Sequence, residues 1–141
     1  MNGYLLDTNC ISEAVRPRPE PRVMSWLRAA DEAMLFLSVL TLGEIRKGVA
    51  SLAQSRRRTL LESWLNTELR ARFSARILVV DAAIADRWGL LAARAKKKGQ
   101  TLSAIDGLLA ATAIHHNLTI VSRNENDFGG MQVQVLNPWK A

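Results

Sequence analysis

Apolar positions follow two rhythms along this chain. Short unbroken runs at Tyr4-Leu5-Leu6, Met34 to Leu40, Ile77 to Val80 and Leu118 to Ser122 each stop at turn-forming or capping residues. That pattern reads as buried strands, and a weaker fifth run covers Val133 to Leu136. Between the runs, apolar residues recur every three or four positions, the spacing of a helix with one buried stripe. Ile11 to Val15 is a short helical turn that Pro17, Pro19 and Pro21 bring to a stop. Arg22 to Ala30 carries Val23, Trp26 and Leu27 at helical spacing and ends before a polar Asp31-Glu32 turn. A helix from Thr41 presents Leu42, Ile45, Val49 and Leu52, and one opened by Arg56, Arg57 and Arg58 presents Leu60, Leu61, Trp64, Leu65 and Leu69. Asp81 caps a helix through Ile84, Trp88, Leu91 and Ala95 that stops at Lys96-Lys97-Lys98-Gly99. Leu102 to His116 is the last helix, with Ser103 available as a cap. Strands alternating with helices predict an α/β fold: one domain over residues 1–141, with a mainly parallel central sheet of four to five strands and helices on both faces.

Composition narrows the picture only slightly. Apolar residues at 48% and charged residues at 23% suit a globular domain, and no apolar run approaches the ~18 residues of a membrane span. The N-terminus lacks the regions of a signal peptide, and the single Cys10 cannot form an internal disulfide, so a cytoplasmic setting is expected. Cys10 follows the first strand closely and reads as core filler rather than a catalytic thiol. The 19 Lys and Arg exceed the 13 Asp and Glu, for a net charge of +6. That excess favours an anionic partner such as nucleic acid without identifying one.

The carboxylates are more informative. Asp7 ends the first strand, at the edge where open α/β sheets place their chemistry. Asp106 is the only charged residue between Leu102 and Ile114. Its helix neighbours at three and four residues are Leu102, Ser103, Leu109 and Ala110, so no cation lies at pairing distance. A carboxylate in such surroundings must be protonated, paired or metal-bound. Gly107 beside it weakens the helix by about 1 kcal/mol relative to Ala, which suggests that something large approaches the backbone there. Glu44 is the only acid between Glu32 and Glu62. Two roles are open to it: a site ligand, or a first-turn residue that forms a capping box with Thr41 and serves the helix dipole. The loop Ser122 to Phe128 either supplies a further oxygen ligand at the same sheet edge or is a plain solvated turn. Oxygen-only donors suit Mg²⁺ or Mn²⁺, whereas His115, His116 and one Cys give no zinc spacing. Carboxylates gathered around hard divalent ions are a recurrent solution to phosphodiester hydrolysis.

These residues also carry a resemblance. Leu5-Leu6-Asp7-Thr8-Asn9 with Ile11-Ser12-Glu13, Ser38 through Thr41 to Glu44, Ile105-Asp106-Gly107 with Ala110-Ala111-Thr112-Ala113, Val121-Ser122-Arg123-Asn124 and Asn137-Pro138-Trp139 run in order over nearly the whole length. In them the chain resembles PIN-domain ribonucleases, in particular the VapC-type toxins of bacterial toxin–antitoxin pairs and their FitB-like group. The resemblance implies a PIN-like fold and an Mg²⁺-dependent endoribonuclease, Mn²⁺ being the other metal expected. Asp7, Glu44 and Asp106 would be the catalytic, metal-holding acids, and a water activated by the metal would cleave the RNA. Thr8 and Asn9 would support the site, Asn9 by bracing the Asp7 turn. Asp127 ranks above Asn124 as the fourth position. Lys47, Arg46 and Arg123 are candidate RNA contacts; the first two follow Glu44 closely, and the basic runs Arg56 to Arg58 and Lys96 to Lys98 could hold phosphates. Transfer or ribosomal RNA is the implied substrate. The implied partners are a small antitoxin that blocks the site, a second copy in a homodimer, and a larger assembly of toxin with antitoxin.

Three other readings are weaker. A haloacid-type phosphotransferase needs an acid where Asn9 stands, and a dinucleotide-binding fold needs a Gly-rich turn after the first strand. A non-catalytic RNA-binding or interaction domain of the same fold is the alternative function, and the retained acids argue against it.

Overall fold

The computed structural model describes residues 3–140. Five strands, β1 (Tyr4–Leu6), β2 (Leu35–Ser38), β3 (Ile77–Leu78), β4 (Thr119–Val121) and β5 (Val135–Leu136), pair in the order β3-β2-β1-β4-β5, and every pairing is parallel. Parallel neighbours need crossovers, which here carry helices. Helices α1 (Thr8–Glu13) and α2 (Pro21–Ala29) join β1 to β2. The link from β2 to β3 is α3 (Val39–Ala50), α4 (Arg56–Ser63), a π-helical stretch at Trp64–Leu69 and α5 (Arg70–Arg72). Helices α6 (Ala82–Lys97) and α7 (Ala104–His116) lead from β3 to β4, and a 3₁₀ turn at Glu125–Phe128 precedes β5.

Side chains that alternate along a strand feed two separate cores. Leu6 joins one with Cys10, Val23, Leu37, Ile45, Leu65 and Phe73, on the face covered by α1 to α5. Leu5 joins the other with Ile84, Leu109, Ala110, Ile120 and Phe128, beneath α6 and α7. The sheet is therefore covered on both faces, as its near-continuous apolar strands require. Among the described residues no helix is long and apolar enough to cross a membrane.

Element boundaries moved where a cap competed with an apolar run. The strand expected over Met34 to Leu40 is confined to Leu35–Ser38, because Ser38 Oγ accepts from the Leu40 N–H at 3.0 Å and starts α3 two residues before Thr41. The capping box expected between Thr41 and Glu44 is therefore absent: Thr41 is buried inside the helix with its hydroxyl unpartnered. Similarly, Ser103 caps α7, so that helix begins at Ala104 rather than Leu102.

Candidate active site

The order of the sheet sets where a site can form. Chain progression runs outward from β1 through β2 to β3 and, separately, through β4 to β5. The carboxyl ends of β1 and β4 thus meet at the reversal point where open α/β sheets hold ligands. Asp7 follows β1 there, and its N–H donates to Val121 O on β4 at 2.9 Å. Its carboxylate caps α1, accepting from the Thr8 N–H at 2.8 Å. Ser122, fully buried at the end of β4, donates its hydroxyl to Asp7 Oδ2 at 2.7 Å. Asn9 braces the same corner, its amide reaching Asp7 Oδ2 at 3.5 Å and Ser122 Oγ at 3.3 Å while its Oδ1 accepts from the Arg123 N–H at 3.2 Å.

Glu44 stands in the second turn of α3 and is fixed from β1's side: Thr8 Oγ1 donates to Glu44 Oε1 at 2.5 Å. Asp106 lies in the first turn of α7, on the opposite side of the sheet edge. The four acids sense one another. Burial is the main force that raises the Asp7 pKa, Glu44 and Asp127 add to it, and the Ser122 and Thr8 hydrogen bonds oppose it. Asp106 is pushed up to about 6, first by burial and then by the charges of Asp127, Asp7 and Glu44. None of the four is in an ion pair among the described residues. Nor do any three His, Cys, Asp or Glu side chains among those residues close on one point as a complete metal cage.

Of the two competing fourth positions, Asp127 lines the cleft that Asp106 lines and acts on both Asp7 and Asp106. Asn124 stays at the rim, its backbone N–H donating to Ser122 Oγ at 3.0 Å. The large group expected against Gly107 is the Trp88 indole of α6. A Cβ at Gly107 would stand 2.8 Å from Trp88 Cδ1 and 2.9 Å from its Nε1. Helices α6 and α7 therefore touch through that glycine, one residue from Asp106. Cys10 is fully buried and its thiol is pushed up to about 12, mainly by burial, which leaves it inert as a nucleophile.

The candidate RNA contacts scatter. Arg46 hydrogen-bonds to Asn66, Lys47 lies in the last turn of α3, and Arg123 stacks over Trp139 with 5.8 Å from its guanidinium carbon to the ring centroid. Ser122 begins the loop singled out from sequence, but its role as the hydroxyl that holds Asp7 was not anticipated, although its place at the end of a strand was the available signal. Arg94 was missed too; it lines the Asp106 cleft from α6, one turn before Lys98.

Comparison with known proteins follows the same lines. The family model described as PIN domain matches residues 4–131. Toxin FitB of Neisseria gonorrhoeae is 38% identical over 96% of this chain and 97% of its own length. The VapC ribonuclease Y4jK of Sinorhizobium fredii is 32% identical over 96% of this chain and 97% of its own. Among solved structures, FitAcB from Neisseria gonorrhoeae superposes with a TM-score of 0.92 at 38% identity, covering 98% of this chain and 99% of that one. FitAB bound to the IR36 DNA fragment gives 0.91 at 37% identity, covering 96% and 95%.

Proposed function

The chain belongs to the PIN-domain family of VapC-type toxin ribonucleases, and on that premise we propose that it cleaves RNA with the aid of a divalent metal held by Asp7, Glu44, Asp106 and Asp127. One observation carries this reading: four carboxylates from four separate chain segments lie near enough at the sheet's reversal point for their charges to raise the Asp7 and Asp106 pKa values, and among the described residues none of the four is in an ion pair. The donor set fits the ion. It is all oxygen, which selects Mg²⁺ or Mn²⁺ over zinc, and an incomplete cage suits Mg²⁺, which keeps several of its own waters. The two histidines are at the far end of α7, nine and ten residues from Asp106 and thus about 14–15 Å along the axis.

When bound, the metal supplies Lewis acidity, making water more acidic and offsetting charge on the phosphate. The protein's own groups arrange that chemistry. Ser122 and the Thr8 N–H fix the orientation of Asp7, and the Thr8 hydroxyl fixes Glu44, so two acids from different elements are held before substrate arrives. Asp106 and Asp127 line one cleft, and the Asp127 charge acts on both Asp7 and Asp106. Beside Asp7 the Thr8 and Ser122 hydroxyls are committed to carboxylates, and the Cys10 thiol is buried and protonated. In this reading a water is the nucleophile.

The same reading includes a small antitoxin, as in the FitAB and VapBC complexes of relatives, and a homodimer. Leu90 and Val79, 71% and 63% exposed, are large apolar side chains that such partners would cover. Loops of transfer or ribosomal RNA are the substrates the family resemblance implies. The test is direct. Purified protein is expected to cut RNA in Mg²⁺ or Mn²⁺ and to lose that activity in EDTA or as Asp7→Asn. Undiminished cleavage by Asp7→Asn would refute the mechanism.

A further inference from the structure

The cleft bordered by Asp106 and Asp127 has a second wall of opposite charge. It encloses about 470 Å³, within the range of sites that hold one small ligand. The last turn of α6 and its C-cap form that wall and contribute Arg94 and Lys98 respectively. Four residues apart at the end of one helix, the two border the same cleft. Both are exposed, and among the described residues neither side chain is in an ion pair or hydrogen bond. Arg16, Arg22, Arg58, Arg72 and Arg76 pair with carboxylates, and Arg46 binds Asn66. Arg94 and Lys98 are distinguished from the other unpaired cations by lining the cleft that Asp106 and Asp127 line. Between the charged ends, Leu102 and Met131 give apolar surface and Gln100 and Asn126 give carboxamides.

With a divalent ion on the acids as proposed above, a ligand for this cleft would place one anionic group there and another against Arg94 and Lys98, with a flat, partly apolar body with hydrogen-bonding edges between them. One nucleotide of a phosphodiester strand has that form. A base-paired helix does not fit the volume, whereas an unstacked nucleotide splayed from a loop does. We propose that this cleft seats the nucleotide next to the scissile phosphate, with Arg94 and Lys98 holding the adjoining backbone phosphates. The proposal rests on the ribonuclease reading and names how that site takes its substrate.

The test uses full-length protein in EDTA, so that nothing is cut, and a fluorescein-labelled single-stranded oligoribonucleotide followed by anisotropy across a KCl series. The double variant Arg94→Ala/Lys98→Ala is expected to bind about tenfold more weakly. Its plot of log affinity against log salt should be shallower by about 1.4, the loss of two single-strand phosphate contacts. Arg28→Ala/Arg70→Ala makes the same charge change at two exposed arginines of α2 and α5, away from the cleft, and is expected to change affinity far less. Equal losses from both pairs, no loss from the cleft pair, or no measurable binding by the wild type would each overturn the proposal. Cleavage of the same oligonucleotide in Mg²⁺ separates the two readings. Activity that Asp7→Asn abolishes, with affinity indifferent to Arg94 and Lys98, sinks the cleft alone. Binding that depends on those residues without cleavage sinks the nuclease reading and keeps the cleft.

Discussion

Gly107→Ala sets two effects of known size against each other at one carbon. In a helix interior the change is worth about 1 kcal/mol of stability, because Ala restricts the unfolded chain and forms helix more readily. Here the new methyl would lie 2.8 Å from Trp88 Cδ1, 2.9 Å from Trp88 Nε1 and 3.0 Å from Leu102 Cδ2. The indole is a rigid plane on α6, not the loose end of a flexible chain, so relief requires the helices to separate. Overpacking of this kind costs about 1–3 kcal/mol. The net expectation is a loss of about 0–2 kcal/mol, read from urea denaturation in EDTA. Catalysis should suffer much more. On the proposed function Asp106, which precedes Gly107, holds the metal, and displacing such a group by about 1 Å can lower rates about 10²-fold. Trp88 Nε1 is buried without a partner, so Trp88→Phe removes an orphan donor that is also one of the two crowding indole atoms. The double variant Gly107→Ala/Trp88→Phe should recover much of the activity, with a coupling energy of about 0.5–3 kcal/mol. A Gly107→Ala protein about 1 kcal/mol more stable than wild type and fully active would refute the reasoning.

Three further outcomes follow from the same geometry. Ser122→Ala removes a buried hydrogen bond to a carboxylate; unfolding free energy should fall by about 1.5–3 kcal/mol in denaturant titration. Thr8→Val keeps the shape but leaves Glu44 unheld, so the Mg²⁺ concentration for half-maximal cleavage should rise about 10- to 100-fold. Without metal, Asp106 holds its proton more tightly in the folded state, at about 6, than its ordinary 3.8. The folded state therefore binds more protons across that window, and stability contributed by this group grows as pH falls through it. Thermal melts in EDTA should show wild type gaining on Asp106→Asn between about pH 7 and pH 5, and losing ground instead if the sign is wrong.

The strand-and-helix alternation, the parallel sheet and the loneliness of Asp106 could all be read from spacing, since each follows from local apolar periodicity. What spacing could not resolve was competition between neighbours able to do the same task. Ser38 and Thr41 are both good caps, and only the path of β2 decides that Ser38 ends the strand. That choice turned Glu44 away from a cap partner and toward Thr8, a contact thirty-six residues distant in sequence. Asn124 and Asp127 differ by one turn of a 3₁₀ helix, which no periodicity reveals. The role of Ser122 and the place of Arg94 were missed because their meaning is relational. A serine at a strand end is ordinary until that strand lies beside β1, and an arginine on an exposed face is ordinary until the opposite wall is acidic.

The central position of β1 also bears on timing. Synthesis proceeds from the N-terminus, so Asp7 and Glu44 emerge early. Asp7 is not held, however, until β4 arrives with Ser122, and Asp127 follows later still. A growing chain thus carries half of its acids through most of translation without a competent site. On the proposed function, the ribosome that makes this toxin is spared by topology: the enzyme is completed only when its last strands pair with its first.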